Sequence, residues 1–305
     1  EKEIDDIVSL WEEISTDYLA LSGITGKKTE KEKFAGAEYT WAVEFATPNG
    51  RLVQGPDAHH DGQNFAKAFD IKFLDRNEKS RYVFQNTWAI TTRMIGLAVM
   101  QHSDDKGLVW PPRIAPLQAV IIPIIFEDSR KKVMEESSRL REELEKDMAV
   151  FLDDRDGYTP GWKFNEWELK GVPLRIEIGP KDIEKGQAMI VRRDTGKKEA
   201  VKLADAGKRT GEILEEMQKD LLEKSRKDRE AMTARAGGFD ELKKAIGSGK
   251  IARAMWCGNL ECEDLIKDQT GGAKIVTIPK DGKTSGKCVY CGKKAKHEVY
   301  IAKSY

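Results

Sequence analysis

Two groups of side chains in this 305-residue sequence have types and spacings that could do chemistry. The first is a set of four cysteines in the order Cys257-x4-Cys262-x25-Cys288-x2-Cys291. Two close pairs separated by a folded insert suit a tetrahedral thiolate zinc site, and four protein ligands would leave no open position, making such a site structural. Two disulfides or four free thiols are the alternatives; the lack of a visible secretory signal argues against disulfides, and pairs this close are awkward to bridge twice. The second group is Thr91-Thr92-Arg93, which sits at a change of period. Strand-type residues (Tyr82, Val83, Phe84, Thr87, Trp88) precede it, and Met94, Ile95, Leu97 and Ala98 follow at helical spacing. An arginine where a strand gives way to a helix can stack on an aromatic base or grip a phosphate. The plainer reading is an ordinary N-cap with a surface arginine.

A third candidate is His59-His60, in the stretch Gly55 to Gly62 with Asp57 and Asp61. Adjacent histidines point apart on regular backbone, so joint metal ligation is poor. The stretch reads as a site loop whose first histidine hydrogen-bonds a small ligand, or equally as a polar loop with one structural histidine.

The elements that must position these groups follow from the pattern. Ile4, Ile7, Val8, Leu10, Trp11 and Ile14 describe an amphipathic helix. Residues 26–37 are charged and glycine-bounded, a loop or lid. Strands are expected over Tyr39 to Ala46 and Arg51 to Gln54 around an Asn49-Gly50 turn, then a hairpin over residues 71–88 and a last strand at Leu108 to Arg113. Pro111-Pro112 marks a boundary. From Gln118 the class changes: an apolar run (Ala119 to Phe126), a charged helix and further alternating strands and helices imply an α/β domain with a mainly parallel sheet. A charged helix over residues 210–235 reads as a solvated connector, with a nucleic-acid-facing arm as the alternative. The 52 basic and 52 acidic residues cancel, so no global polycation steers the chain toward nucleic acid. No apolar run approaches a membrane span. The start at Glu1, without an initiating Met, suggests a fragment or a processed chain.

Several stretches together resemble the archaeal and eukaryotic type of prolyl-tRNA synthetase, a class II aminoacyl-tRNA synthetase family. They are residues 28–37, His59-His60-x-Gly62-Gln63-Asn64-Phe65, Thr91-Thr92-Arg93 with residues 104–113, residues 160–175, the four cysteines and the terminal Tyr305. The resemblance implies α/β and α+β multidomain architecture in three parts. Residues 1–113 would be the C-terminal half of a class II antiparallel-sheet catalytic domain carrying motif 3. Residues 114–206 would be an anticodon-binding α/β domain, and residues 207–305 a small zinc-containing α+β domain whose terminal Tyr turns back toward the active site. It further implies a cytoplasmic enzyme, a homodimer at full length, that uses ATP with Mg2+ to activate proline and transfer it to tRNA-Pro. By the same resemblance Arg93 neutralises triphosphate charge, Thr91 hydrogen-bonds ATP, and Gln54 holds the adenylate. His59 lies beside the proline pocket with Trp88 in its wall. Phe164, Glu168 and Arg175 meet the anticodon, and Cys257, Cys262, Cys288 and Cys291 hold Zn2+. The chemistry suits the anticodon set, since Phe stacks on an unstacked base while Glu and Arg read Watson–Crick edges.

The chain departs from the family pattern in three ways. Motif 1, motif 2 and the Thr-x-Glu proline-recognition loop are not found in these residues. Asp57 puts a carboxylate where the family has a neutral hydroxyl, which should repel an adenylate. Ala89 replaces a glycine. A truncated paralogue that binds tRNA without activating proline, or a partner of the ribosome or a synthetase complex, are therefore the alternatives.

Overall fold

The computed structural model describes residues 1–305. In chain order the first stretch holds α1 (Lys2–Glu13), a π-helical turn (Ile14–Tyr18), β1 (Ile24–Lys27), β2 (Tyr39–Ala46), β3 (Leu52–Gly62), α2 (Asn64–Ala68), β4 (Lys72–Leu74), β5 (Ser80–Tyr82), β6 (Gln85–Ala89) and α3 (Arg93–His102). The middle holds β7 (Ala119–Pro123), α4 (Arg130–Leu144), β8 (Val150–Leu152), α5 (Pro160–Lys170), β9 (Leu174–Ile178), α6 (Pro180–Glu184), β10 (Gln187–Arg192), β11 (Lys198–Lys202) and α7 (Ala206–Met232). The last stretch holds β12 (Thr233–Ala236), α8 (Phe239–Gly247), β13 (Ile251–Trp256), α9 (Leu260–Gln269), β14 (Lys274–Pro279) and β15 (His297–Ala302).

These elements form two compact units, one of which draws on both ends of the chain. One unit joins residues 1–16 and 21–97 to residues 226–305; the other holds residues 17–20 and 98–225. The cause is a single eight-stranded sheet, in the order β12-β13-β15-β14-β1-β2-β3-β6, that takes strands from both ends of the chain. All its pairings are antiparallel except β12 with β13. The join is β1 against β14, with Gly26 opposite Pro279. A Cβ at Gly26 would lie 2.2 Å from Thr277 Oγ1 and 2.4 Å from the Ile278 carbonyl oxygen, so only glycine allows this approach. Helix α1 buries Ile4, Val8 and Trp11, and the first two pack on Ala58, Tyr39 and Trp41 of the sheet.

In this unit the stretch 26–37 is not a free lid. Lys28 and Thr29 are buried, with Lys28 ion-paired to the buried Glu44 and donating to the Val276 carbonyl at 3.2 Å. Burial pushes the Glu44 carboxyl up, against the pull of Lys28.

The second unit is built on a five-stranded sheet, β11-β10-β9-β7-β8. It is mixed, not mainly parallel: β7 runs parallel to β8 and β9, while β9, β10 and β11 pair antiparallel. The apolar run of β7 is fully buried between helices, and Pro123 closes the strand, where a missing N–H does least harm. Helix α7 is not solvated all round. Its stripe of Ile213, Leu214, Met217 and Leu221 is buried within this unit.

Helix α5 shows its ends in the sequence. Thr159 caps it by accepting the Trp162 N–H at 3.3 Å, Pro160 opens it, and Gly171 ends it at φ +74°. Residues 108–110, expected as a strand, instead lie along the end of α5. The Leu108 N–H donates to Leu169 O at 3.0 Å and the Trp110 N–H to Gly171 O at 3.4 Å. The helix carbonyls left over at the C-terminus are thus satisfied, and no sheet partner is left to find. A Cβ on Gly171 would meet the Leu108 backbone at 2.6 Å. Gly171→Ala is therefore expected to cost about 1–3 kcal/mol, the usual range for backbone strain. A urea midpoint equal to wild type would show that this contact carries no strain.

Candidate functional site

The first site area is one face of the large sheet. Strand β3 runs through Gly62, so His59 and His60 lie on a strand and not in a loop. Both its edges are paired, to β2 and to β6, which keeps the glycine-rich stretch extended. Between Ala42–Asp57 and Glu44–Gln54 the register slips by one residue, a β-bulge at Gly55-Pro56. Proline is tolerated there because the bulge leaves a backbone position unpaired. The slip reverses the alternation of side chains, so Gln54 shares a face with Asp57 and His59.

Contacts then link the group. Gln54 Nε2 donates to Asp57 Oδ2 at 2.8 Å, and His59 Nε2 lies 3.4 Å from Asp57 Oδ1. Thr40 Oγ1 and His59 Nδ1 are hydrogen-bonded at 2.9 Å, and the Phe34 ring covers the imidazole, with centroids 4.8 Å apart. Arg93, the first residue of α3, donates from Nη1 to the Gln54 carbonyl at 2.9 Å, while Thr91 Oγ1 accepts the Arg93 N–H at 3.3 Å. Gln54, His59, Thr91 and Arg93 are thus brought together. Asp57 holds two of them, a role that no sequence signal revealed.

Trp88 does not join them. It stands in register with Ala58, one position away from His59 and hence on the opposite, α1-covered face. There it meets Trp11 edge-on, with centroids 6.5 Å apart, and remains 45 % exposed.

The second area lies in the other unit. Phe164 and Glu168 on α5 and Arg175 on β9 converge, the Arg175 guanidinium stacking over the Phe164 ring at 4.2 Å. Glu168 and Arg175 line a recess of about 220 Å³ with Lys106, Arg193 and Lys198, a basic rim suited to a nucleic-acid backbone. Arg193 is fixed by a bidentate pair with Asp104 (2.6 and 2.8 Å) and a hydrogen bond to Glu168 O. Behind α5, Asp153 is wholly buried. Burial pushes its carboxyl up, but hydrogen bonds from Arg155 and Trp167 and the nearby Lys163 ammonium outweigh this and hold it well below the usual range.

The third area is the cysteine cluster. Cys257 follows β13, Cys262 lies in the first turn of α9, and Cys288 and Cys291 flank a turn before β15. All four Sγ atoms lie within 4.8 Å of one another, and Cys291 is 3.8 Å from Cys257. A zinc ion with bonds of about 2.3 Å needs sulfurs about 3.8 Å apart in a tetrahedron. The residues fit the ion, and none of the four is in a disulfide. Burial pushes the Cys257 and Cys262 thiols up, an expense that a coordinated cation reverses by binding thiolate.

Residues 118–212 match the family described as "Anticodon binding domain", and residues 239–305 the family described as "Prolyl-tRNA synthetase, C-terminal". The whole chain is similar to proteins named proline–tRNA ligase. That of Oceanobacillus iheyensis is 43 % identical over 304 residues, which is 100 % of this chain and 63 % of that protein. That of Natranaerobius thermophilus is 42 % identical over 308 residues (100 % and 64 %), and that of Ruminiclostridium cellulolyticum 45 % over 300 residues (98 % and 62 %). The chain therefore spans a little under two thirds of the length of these relatives, and the end-to-end similarity is to their C-terminal portion. These relatives come from bacteria, so they do not confirm the archaeal and eukaryotic type.

Two outcomes follow from this geometry. Zinc should co-purify at one ion per chain; Cys257→Ser should lose it, and chelation should lower the thermal midpoint, as read by a colorimetric zinc assay and circular dichroism. Full zinc content in Cys257→Ser would contradict the four-thiolate site. The second outcome concerns Asp104, whose carboxyl the Arg193 hydrogen bonds hold at about 2. Its folded value is depressed, so its contribution is complete above the unfolded value of about 3.9 and is lost as pH falls toward 2. The stability gap between wild type and Asp104→Asn in urea should be constant above pH 5 and close below pH 4.

Proposed function

We propose that this chain is the C-terminal portion of a proline–tRNA ligase, an enzyme that activates proline with ATP and Mg2+ and transfers it to tRNA-Pro. The observation that carries this is that Glu168 and Arg175 line one basic recess and Arg175 stacks on the neighbouring Phe164 ring, within the segment that matches the anticodon-binding family. In this reading Arg175 and Glu168 read base edges, while the Phe164 ring offers a stacking surface beneath Arg175. On the sheet face, the Arg93 guanidinium meets triphosphate charge, the Thr91 hydroxyl meets ATP, and the Gln54 amide meets the adenylate. His59, held by Thr40 and Phe34, lies beside the proline. Positioning and charge stabilisation carry such chemistry, since the proline carboxylate itself attacks the α-phosphate. The four-cysteine segment supports the archaeal and eukaryotic architecture and a structural Zn2+. A division at about residues 113 and 206, a homodimer and a cytoplasmic location belong to the same reading; no helix is long and apolar enough to cross a membrane.

A second reading, tRNA binding without proline activation, is favoured by Asp57. Its carboxylate already engages the Gln54 amide and the His59 imidazole, the two groups an adenylate would need. The purified chain is expected to bind tRNA-Pro, with Phe164→Ala or Arg175→Ala weakening it tenfold to a hundredfold, which corresponds to about 1–3 kcal/mol per stacked base. It is expected to give no proline-dependent ATP–pyrophosphate exchange. Exchange by this chain would favour full catalysis, and tRNA-Pro binding unaffected by either variant would refute the anticodon assignment.

A further inference from the structure

The first unit carries a concentration of positive charge that the readings above leave unused. Strands β12 and β13 pair in parallel with Arg235 level with Arg253, and Arg253 is level in turn with Tyr300 on β15. Two guanidiniums in directly opposed positions repel. Only Arg253 has a counter-ion: it donates to Glu298 Oε2 at 2.7 Å and lies over the Tyr300 ring. The same Glu298 oxygen accepts the Lys283 backbone N–H at 3.2 Å, so this carboxylate is committed. The Arg253 Nε is buried with no hydrogen-bond partner. The Arg235 and Lys283 side chains are exposed and make no ion pair or hydrogen bond. Together with Glu298 they line an open recess of about 470 Å³, three cations facing one carboxylate. A neighbouring recess of about 460 Å³ shares Arg253 but is balanced: its Arg229 and Lys280 are offset by Glu12 and Asp281, with Lys280 paired to Glu12 at 3.4 Å.

We propose that this recess binds phosphodiester groups of an RNA backbone. An anion between Arg235 and Arg253 removes their repulsion, and the guanidinium fork matches two phosphate oxygens at once. Glu298 and Tyr300 hold Arg253 in place, so little side-chain freedom is lost on binding. Contacts of this kind set position and carry no base specificity. The choice of RNA over free phosphate rests on the tRNA-binding reading; the recess itself does not.

The test uses the full chain and a 12-base-pair RNA duplex without an anticodon loop, followed by fluorescence anisotropy across a salt series. Inorganic phosphate is titrated separately by calorimetry. Wild type should bind the duplex with an affinity that falls steeply with salt. Arg235→Ala/Lys283→Ala, which alters only exposed side chains, should weaken binding at least fivefold. It should also flatten the log–log salt slope by about 1.8, at about 0.9 per lost phosphate contact. Lys106→Ala/Lys198→Ala, which removes exposed cations from the rim of the anticodon recess, should leave duplex binding unchanged, which separates this surface from that recess. The proposal is overturned if wild type ignores the duplex, or if the double variant binds it with the same affinity and slope. It is also overturned if the double variant loses only inorganic phosphate, which would assign a free-phosphate site.

Discussion

The first unit depends on one backbone contact, the pairing of β1 with β14. Without it the N-terminal strands and the C-terminal strands would be two small sheets, each with an extra open edge. The contact demands a residue without a Cβ at position 26, because the Ile278 carbonyl occupies that space. It is reinforced from below by Lys28, which spans the join: its ammonium meets Glu44 on β2 and the Val276 carbonyl on β14. A buried ion pair of this kind is weak evidence for stability, since desolvation opposes the attraction. Its value here is registry. Lys28 can satisfy both partners only when β14 lies at the observed offset.

Within that sheet the bulge in β3 decides which residues meet. A regular strand would put Gln54 on the α1 side and leave Asp57 and His59 without it. With one extra residue, Gln54 crosses to the face that Arg93 reaches from the start of α3. The same rule of alternation, undisturbed on β6, keeps Trp88 on the far side with Trp11.

What could be read in advance was local. The cysteine spacing needed no register to interpret. The Thr159, Pro160 and Gly171 signals bounded α5, and with it the four-residue step from Phe164 to Glu168. The Asp75 to Glu78 turn marked the β4–β5 hairpin. What could not be read was lateral. The Lys28–Glu44 pair, the Asp57 tether and the β1–β14 join each link side chains or strands whose offset is set by sheet assembly and by no feature of either segment alone. The error on Leu108 to Arg113 has the same origin. An apolar, β-prone run can satisfy its backbone on a helix end as well as on a sheet, and composition does not distinguish the two.

The β1–β14 pairing also has a consequence in time. Gly26 waits for a partner about 250 residues further on, which at about 5–20 residues per second is some 13–50 s of synthesis. Throughout that interval β1 presents an unsatisfied edge, the surface on which strands from other chains add. All residues of the second unit have been made by position 225, before β12 to β15 exist. The order of emergence therefore runs against the order of the sheet. The half-built sheet, more than the finished one, is where this chain is most exposed to aggregation and to holding chaperones.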